Sequence, residues 1–367
     1  MLVQLKQNYK LLVRSLDDSS DILKYKELLQ KEWNNNVYYS SEHIKHFEKD
    51  SDKLKYFLFE NADTPIVLMP FVYREIKIKG KTQPYYDVVS PYGYSGPLYN
   101  ENVSADDVIQ FWKHVDQWYL ENGVVTEFIR FSLNNNFTNY SGTLIESLAN
   151  VKGNLLGDFE DQWKAFLPKV RNNYRKAVNY NLEFKVFHKQ EITRDVITIF
   201  NDIYVNTMNR NNADSLYFFS NEYFENLILS NLNNFSIAIA YYEGTPISIE
   251  LIINYQDTIF AFLGGTNAEY FSYRPNDFLR VKIIEWAIDN NVKYYVLGGG
   301  MKDGDGLYKN KKSLFPKDKD VVFCTGRKIV NEKVYDELCT AFDEEKYRSI
   351  EKEDLKNYFF PFYRLSR

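Results

Sequence analysis

Four consecutive pieces decide the fold: TIFAFLGGTN (258–267), YRPNDFLRVKIIEWAIDNN (273–291), VKYYVLGGG (292–300) and MKDGDGLYKNKKSLFP (301–316). The first is rich in β-branched and aromatic residues and predicts a strand. The second predicts an amphipathic helix with Phe278, Leu279, Val281, Ile283, Ile284, Trp286, Ala287 and Ile288 gathered on one side. The third predicts a strand that ends at Gly298, Gly299 and Gly300. The fourth reads as an irregular loop that supplies carboxylates, a tyrosine and lysines. Two strands joined by a helix, with polar residues at the strand ends, describe a ligand site in an α/β sheet.

Working outward, 367 residues suffice for two domains of ordinary size. The apolar share of 44% and charged share of 26% suit globular packing. Thirty tyrosines and 27 phenylalanines are many; they reflect either compositional bias or faces that stack on sugar rings. The formal net charge of −5 argues against DNA as a partner and disfavours RNA. Cys324 and Cys339 form no metal-like spacing with His43, His46, His114 and His188, so no metal is expected and the histidines read as solvated. No apolar run has the length of a signal peptide or a membrane span, so the expected location is cytoplasmic, with reduced thiols.

The first half shows the same order of elements. KLKYFLFENADTPIVLMPFVYREIKI (53–78) reads as strand, turn, strand. The stretch 82–100 reads as a glycine- and proline-rich loop. A helix follows over 104–122, with Ser104 as N-cap and Gly123 as its stop, and then a strand from Val124. Thr64-Pro65-Ile66 is echoed by Thr245-Pro246-Ile247, and Trp118 and Asn122 are echoed by Trp286 and Asn290. This predicts a diverged duplication: a mixed β-sheet flanked by helices in 1–157 and another in 158–367. Further helices are expected at 20–50, 194–210, 221–232, 331–342 and 351–360, with a basic helix followed by a strand within 158–187 and a strand at 320–330.

SPYGYSGP (90–97), RPNDFLRVKIIEWAIDNNVKYYVLGGG (274–300) and DGLYKNKKSLFP (305–316) together resemble the FemABX-type members of the GNAT acyltransferase superfamily, in particular FemAB-like proteins of polysaccharide gene clusters. The resemblance spans nearly the whole chain and implies two tandem GNAT-like domains. It departs at Lys311, where the Fem pattern usually has phenylalanine, and at Leu314, where glycine is common. It implies acyl transfer to an amine. The donor would be acyl-CoA or, in Fem enzymes, aminoacyl-tRNA; the acceptor would be a nucleotide- or lipid-linked amino sugar, or a peptidoglycan precursor.

Thioester aminolysis needs a neutral amine, a stabilised oxyanion, a proton for the sulfur and orientation. Pro275, Asn276, Asp277 and Arg280 at the helix start, with Gly299 and Gly300, are the candidate donor-binding residues; Asn276 or Asp277 equally suits a helix cap. Glu250, inside an apolar strand, is either a buried base or a side chain pointing into solvent. Asp303 and Asp305 either orient the amine or bind a metal, or else make a polar Asp-Gly turn. Lys312 matches the lysine that the Fem resemblance places near the reacting carbonyl, with Tyr308 as a proton donor and Lys309 as a phosphate contact; a solvated basic loop is the alternative. Asp87, Tyr92 and Tyr94 are candidates for holding a sugar, and Arg171 and Arg175 for a diphosphate. The expected function is N-acylation of an amino-sugar precursor by a CoA-type thioester. The rivals are an aminoacyl-tRNA-dependent transferase and a non-catalytic binding module.

Overall fold

The computed structural model describes residues 8–47, 52–350, 355–356 and 358–365. The chain forms two compact units, Met1–Ser147 with Val322–Arg367, and Leu148–Val321. The sequence reading gave the whole tail to a second domain at 158–367. The tail from Val322 belongs instead with the first unit, through a long-range strand pairing that no local pattern reveals.

In the first unit the chain runs β1 (Tyr9–Ser15), α1 (Ser19–Glu32), α2 (Ser41–His46), β2 (Asp52–Asn61), β3 (Thr64–Ile78), β4 (Lys81–Val89), β5 (Leu98–Tyr99), α3 (Ala105–Glu121) and β6 (Val124–Arg130). The strand β4 corrects the loop expected over 82–100. Tyr85, Tyr86, Val88 and Val89 favour the sheet, and Pro84 falls where the pairing with β3 shifts register between Glu75 and Lys77. The start of α3 is closed as the sequence predicts: Ser104 accepts from the Asp107 amide at 3.1 Å and Asp107 accepts from the Ser104 amide at 2.9 Å.

The second unit is entered along β7 (Thr143–Asn154). Then come α4 (Phe159–Ala165), α5 (Pro168–Val178), β8 (Glu183–His188), α6 (Arg194–Arg210), α7 (Asn221–Leu229), β9 (Phe235–Tyr242), β10 (Thr245–Tyr255), β11 (Thr258–Thr266), α8 (Pro275–Asp289), β12 (Tyr294–Gly298) and α9 (Gly306–Lys312). The chain returns to the first unit as β13 (Val321–Ile329) and α10 (Glu332–Arg348). The helix α9 corrects the irregular loop expected at 301–316. The helix expected at 351–360 lies largely outside the described residues, as does the end of the one expected at 20–50.

Within each unit the strands pair in the same way. The first unit orders β1-β2-β3-β4-β6-β13, with β5 beside β3, and the second orders β8-β9-β10-β11-β12-β7. Only β4/β6 and β11/β12 are parallel pairs; the other pairs described are antiparallel. A helix, α3 or α8, connects each parallel pair, so the duplication expected from the order of elements is a duplication of topology.

Phe57, Phe59, Met69, Phe71, Phe111, Trp112 and Val115 pack the first sheet against α3. Ile76, Val125, Tyr335, Phe360 and Phe362 form a second cluster of this unit that takes in α10. In the second unit Ala238, Ala240, Ile252, Phe278, Leu279 and Ile284 bring the sheet and α8 together. Each Val, Leu, Ile, Phe or Met side chain among these contributes about 1.5–3 kcal/mol by leaving water. The expected one-sided amphipathic helix is corrected here: no residue of α8 from Pro275 to Ile288 is exposed. An apolar set wrapped around the whole circumference marks a helix buried on all sides.

Candidate active site

The parallel strands β11 and β12 pair over three positions, Thr258 with Tyr294, Ile259 with Tyr295 and Phe260 with Val296. Beyond these, β11 runs on to Thr266 with no parallel partner among the described residues. Two irregularities separate the strands. β11 bulges against β10 at Leu251/Ile252, and β12 shifts register against β7 between Val296 and Gly298. Bulges bend and twist a strand away from its neighbour. The left-handed φ of +78° at Gly298 then turns the chain out of the sheet, a conformation that favours glycine.

The corresponding pair of the first unit stays zipped. Tyr86, Asp87, Val88 and Val89 pair with Val124, Thr126, Glu127 and Phe128. The Ser90 and Ser95 amides continue the ladder to the carbonyls of Phe128 and Arg130, each at 2.9 Å. A split sheet is therefore a feature of the second copy.

The start of α8 differs from that of α3 in the same sense. No side chain caps α8, which begins Arg274-Pro275 with Arg274 left-handed at φ 61°. This corrects the expectation that Asn276 or Asp277 is the cap. Asp277 accepts instead from Asn173 Nδ2 at 3.1 Å, and burial raises its carboxyl above the usual range. A cavity of about 220 Å³ opens here, lined by Thr266, Phe271, Arg274, Pro275, Asn276 and Asp277. Uncapped first-turn amides and the positive end of the helix dipole favour an anion.

Glu250 does not point into solvent. It is 4% exposed, accepts from the Tyr295 hydroxyl, and its Oε2 lies 3.6 Å from Arg280 Nε. Burial pushes the Glu250 carboxyl up, and Arg280 is the main influence holding it down. Arg280 also donates to Asn310 Oδ1 at 3.2 Å. Arg280 is therefore the counter-ion of a buried carboxylate rather than an open donor-binding residue.

Lys311 joins this group. Its Nζ donates to the Gly299 carbonyl at 2.7 Å. Burial, and then Arg280, pushes its amine down to about 8, while Glu250 and Asp305 oppose the shift. Lys312 is elsewhere, bound to Asp320 at 2.8 Å and to the Asp318 carbonyl. Tyr308 donates to the other Asp320 oxygen at 2.5 Å, which holds its hydroxyl up at about 12 and makes it a poor acid. The expected Lys312–Tyr308 pair is thus a tie to Asp320, and the lysine beside the glycine turn is Lys311.

Asp305 caps α9 and receives the amides of Met301, Lys302 and Tyr308 at 2.7, 3.1 and 2.8 Å. These bonds lower its carboxyl below the usual range. Asp303 and Lys309 are exposed. A Cβ at residue 300 would collide with the Asp305 carboxylate. Gly300→Ala is therefore expected to displace the cap and cost about 0.5–2 kcal/mol, read as a lower urea midpoint.

The remaining candidates are committed to other contacts. Arg171 donates to the carbonyls of Lys164 and Phe166 at the end of α4, and Arg175 stands over the Trp163 ring at 5.5 Å. In the first unit Asp87 is sealed between Arg74 and Arg364, at 2.7 and 2.8 Å, so it is not presented to a sugar hydroxyl. Tyr92 packs on Phe47 with ring centres 4.6 Å apart, and Tyr94 packs edge-on against Tyr38 at 5.2 Å. His43, expected in solvent, is buried and held down at about 4 by that burial. The 90–97 loop is clamped by Asn136, whose Nδ2 donates to the Ser95 and Pro97 carbonyls at 2.8 and 2.9 Å.

Residues 168–310 match the family model described as an acetyltransferase (GNAT) domain. This match takes in β11, α8, β12 and the split between them. The chain thus carries a GNAT-type acetyltransferase domain. Its fold is that of FemX, to which it is 10% identical with a TM-score of 0.61, over 86% of this chain and 97% of that one. L-PGS from Bacillus licheniformis gives 13% identity and a TM-score of 0.54, covering 87% of this chain and 94% of its own. The DUF2156 domain of a lysylphosphatidylglycerol synthetase candidate from Agrobacterium fabrum gives 12% identity and a TM-score of 0.53, covering 86% and 93%. No curated protein matches the sequence. Among the described residues no helix is long and apolar enough to cross a membrane.

Proposed function

We propose that this acyltransferase moves an acyl group from a CoA-type thioester to the amine of a phosphate-linked amino sugar. The second unit carries the donor and the first contributes to the acceptor side. The observation that carries the donor reading is the conjunction of an unzipped β11/β12 pair with an uncapped α8 start. The first-unit equivalents of both are closed.

In this reading the pyrophosphate lies on the Asn276 and Asp277 amides, beside the cavity at Arg274. The pantetheine arm lies along the unpaired edge of β11, where it takes the place of a strand through backbone hydrogen bonds. The thioester then reaches the Gly298–Gly300 turn. Lys311, held there by the Gly299 carbonyl, stabilises the oxyanion and supplies a proton to the leaving thiolate, and the proton shed by the attacking amine restores its ammonium form. The oxyanion role is the one expected of Lys312, and the proton-donor role the one expected of Tyr308. Glu250 acts as a positioning residue. With Arg280 and Tyr295 it sets the charge around Lys311 and keeps that amine in a range where it both holds and releases a proton.

Incubation with acetyl-CoA and a panel of nucleotide-linked amino sugars, read as free thiol, tests the proposal. Thiol release that requires the amino sugar supports it. The fold shared with FemX and L-PGS favours one second reading, in which the acyl group arrives as an aminoacyl ester on tRNA. Activity in a lysate that is abolished by RNase, with no thiol release from acyl-CoA, would replace the first reading by the second.

A further inference from the structure

The last residue of α6 reaches the cavity at the start of α8. Gly265 lets it do so. A Cβ there would lie 2.7 Å from Thr207 Oγ1 and 2.8 Å from the Ile203 carbonyl, so α6 packs directly on the backbone of β11. The Thr266 amide donates to Thr207 Oγ1 at 3.0 Å, and Arg210 donates to the Thr266 carbonyl at 2.7 Å. The Arg210 guanidinium also lies 4.9 Å from the centre of the Phe271 ring. Thr266 and Phe271 both line the cavity, so these contacts place Arg210 at its rim. Arg274 lines the cavity itself.

Both arginines are exposed, and neither makes an ion pair among the described residues. Asp277, the carboxylate of the cavity lining, is held by Asn173 at 3.1 Å. Arg210 covers one face of Phe271, yet that ring is still 47% exposed. At about 220 Å³ the cavity falls below the roughly 300–1,000 Å³ of pockets that enclose a whole small ligand. It takes a piece of one. Two guanidinium forks without a carboxylate of their own suit an oxyanion that offers several oxygens. An exposed aromatic face beside them suits a flat base. A phosphate next to a flat base is the chemistry of a nucleotide.

Resting on the donor reading above, we propose that Arg210 and Arg274 hold the 3′-phosphate of the donor's adenosine while Phe271 stacks on its base. That phosphate is the group that coenzyme A carries and the acylated end of a tRNA lacks, because there a ribose hydroxyl oxygen carries the ester. The two arginines thereby select the class of donor that this site accepts.

Calorimetric titration of coenzyme A and of dephospho-coenzyme A, which lacks only the 3′-phosphate, tests this on the full chain. Wild type is expected to bind coenzyme A about tenfold or more tighter than the dephospho form. Arg210→Gln and Arg274→Asn are each expected to weaken coenzyme A by about tenfold and to leave dephospho-coenzyme A near its wild-type affinity. Asparagine keeps the left-handed backbone that residue 274 adopts at φ 61°. Phe271→Ala is expected to weaken both ligands alike. Misfolding of a variant lowers the bound fraction for both ligands and leaves the ratio of their affinities unchanged, so the ratio reads the arginines alone. Equal affinity of wild type for the two ligands would overturn the inference and leave the donor reading standing. So would a preference for coenzyme A that both arginine variants retain. Failure of wild type to bind either ligand would overturn the donor reading, and this inference with it.

Discussion

Arg280→Ala is expected to cost about 3–5 kcal/mol of folding stability, the usual loss when one partner of a buried ion pair is removed. It strands Glu250, which is 4% exposed and is left with the Tyr295 hydroxyl as its hydrogen-bond donor. The pH dependence follows from sign. Glu250 already titrates above an ordinary carboxyl in the folded protein, and without Arg280 it is raised further. A raised carboxyl binds more protons folded than unfolded, so the penalty is full above the folded value and fades as pH falls toward the unfolded value. Urea unfolding at pH 7.5 and pH 5 should therefore show a larger deficit at the higher pH. The double variant Glu250→Gln/Arg280→Met should recover much of the loss, since no charge is left buried. Equal deficits at both pH values would show that Arg280 acts by packing alone.

Lys311→Met is expected to lower kcat by about 10²–10³-fold, as loss of one oxyanion donor does, whereas Lys312→Met leaves kcat near wild type and acts on stability through Asp320. If protonated Lys311 is the acting form, kcat falls as pH rises past about 8. Lys311→Arg, which stays charged, should lose that limb. Stability shifts the other way. A lysine depressed by burial binds fewer protons folded than unfolded, so its cost is full below about pH 8 and fades toward the unfolded lysine value. Lys311→Met should thus gain most over wild type near neutral pH and least near pH 10, read by thermal melting. A kcat loss that instead follows Lys312 would remove Lys311 from the reaction.

The choice between these two lysines shows what local pattern reveals and what it does not. The strand pairs 52–61/64–78 and 235–242/245–255, and the helices at 105–121 and 275–289, were legible because periodicity, caps and turns are local properties. So was the region of the site, since β11, α8 and β12 are consecutive in the chain. Lys311 and Lys312 are adjacent in sequence, one residue apart. On the helix α9 that residue is about 100° of rotation, enough to send one amine to Gly299 and the other to Asp320. A segment read as an irregular loop offers no such phase. The departure of Lys311 from the Fem pattern was the available signal.

The return of 322–367 to the first unit was not legible, because β13 finds β6 across the whole second unit in sequence.

The most direct measurement is a crystal structure with a non-hydrolysable acetyl-CoA thioether. The account predicts phosphates on the Asn276 and Asp277 amides, the pantetheine arm along β11 at 261–266, and the sulfur within reach of Lys311 Nζ. A ligand bound outside the β11/β12 gap, or a gap that stays empty at saturating analogue, would contradict it.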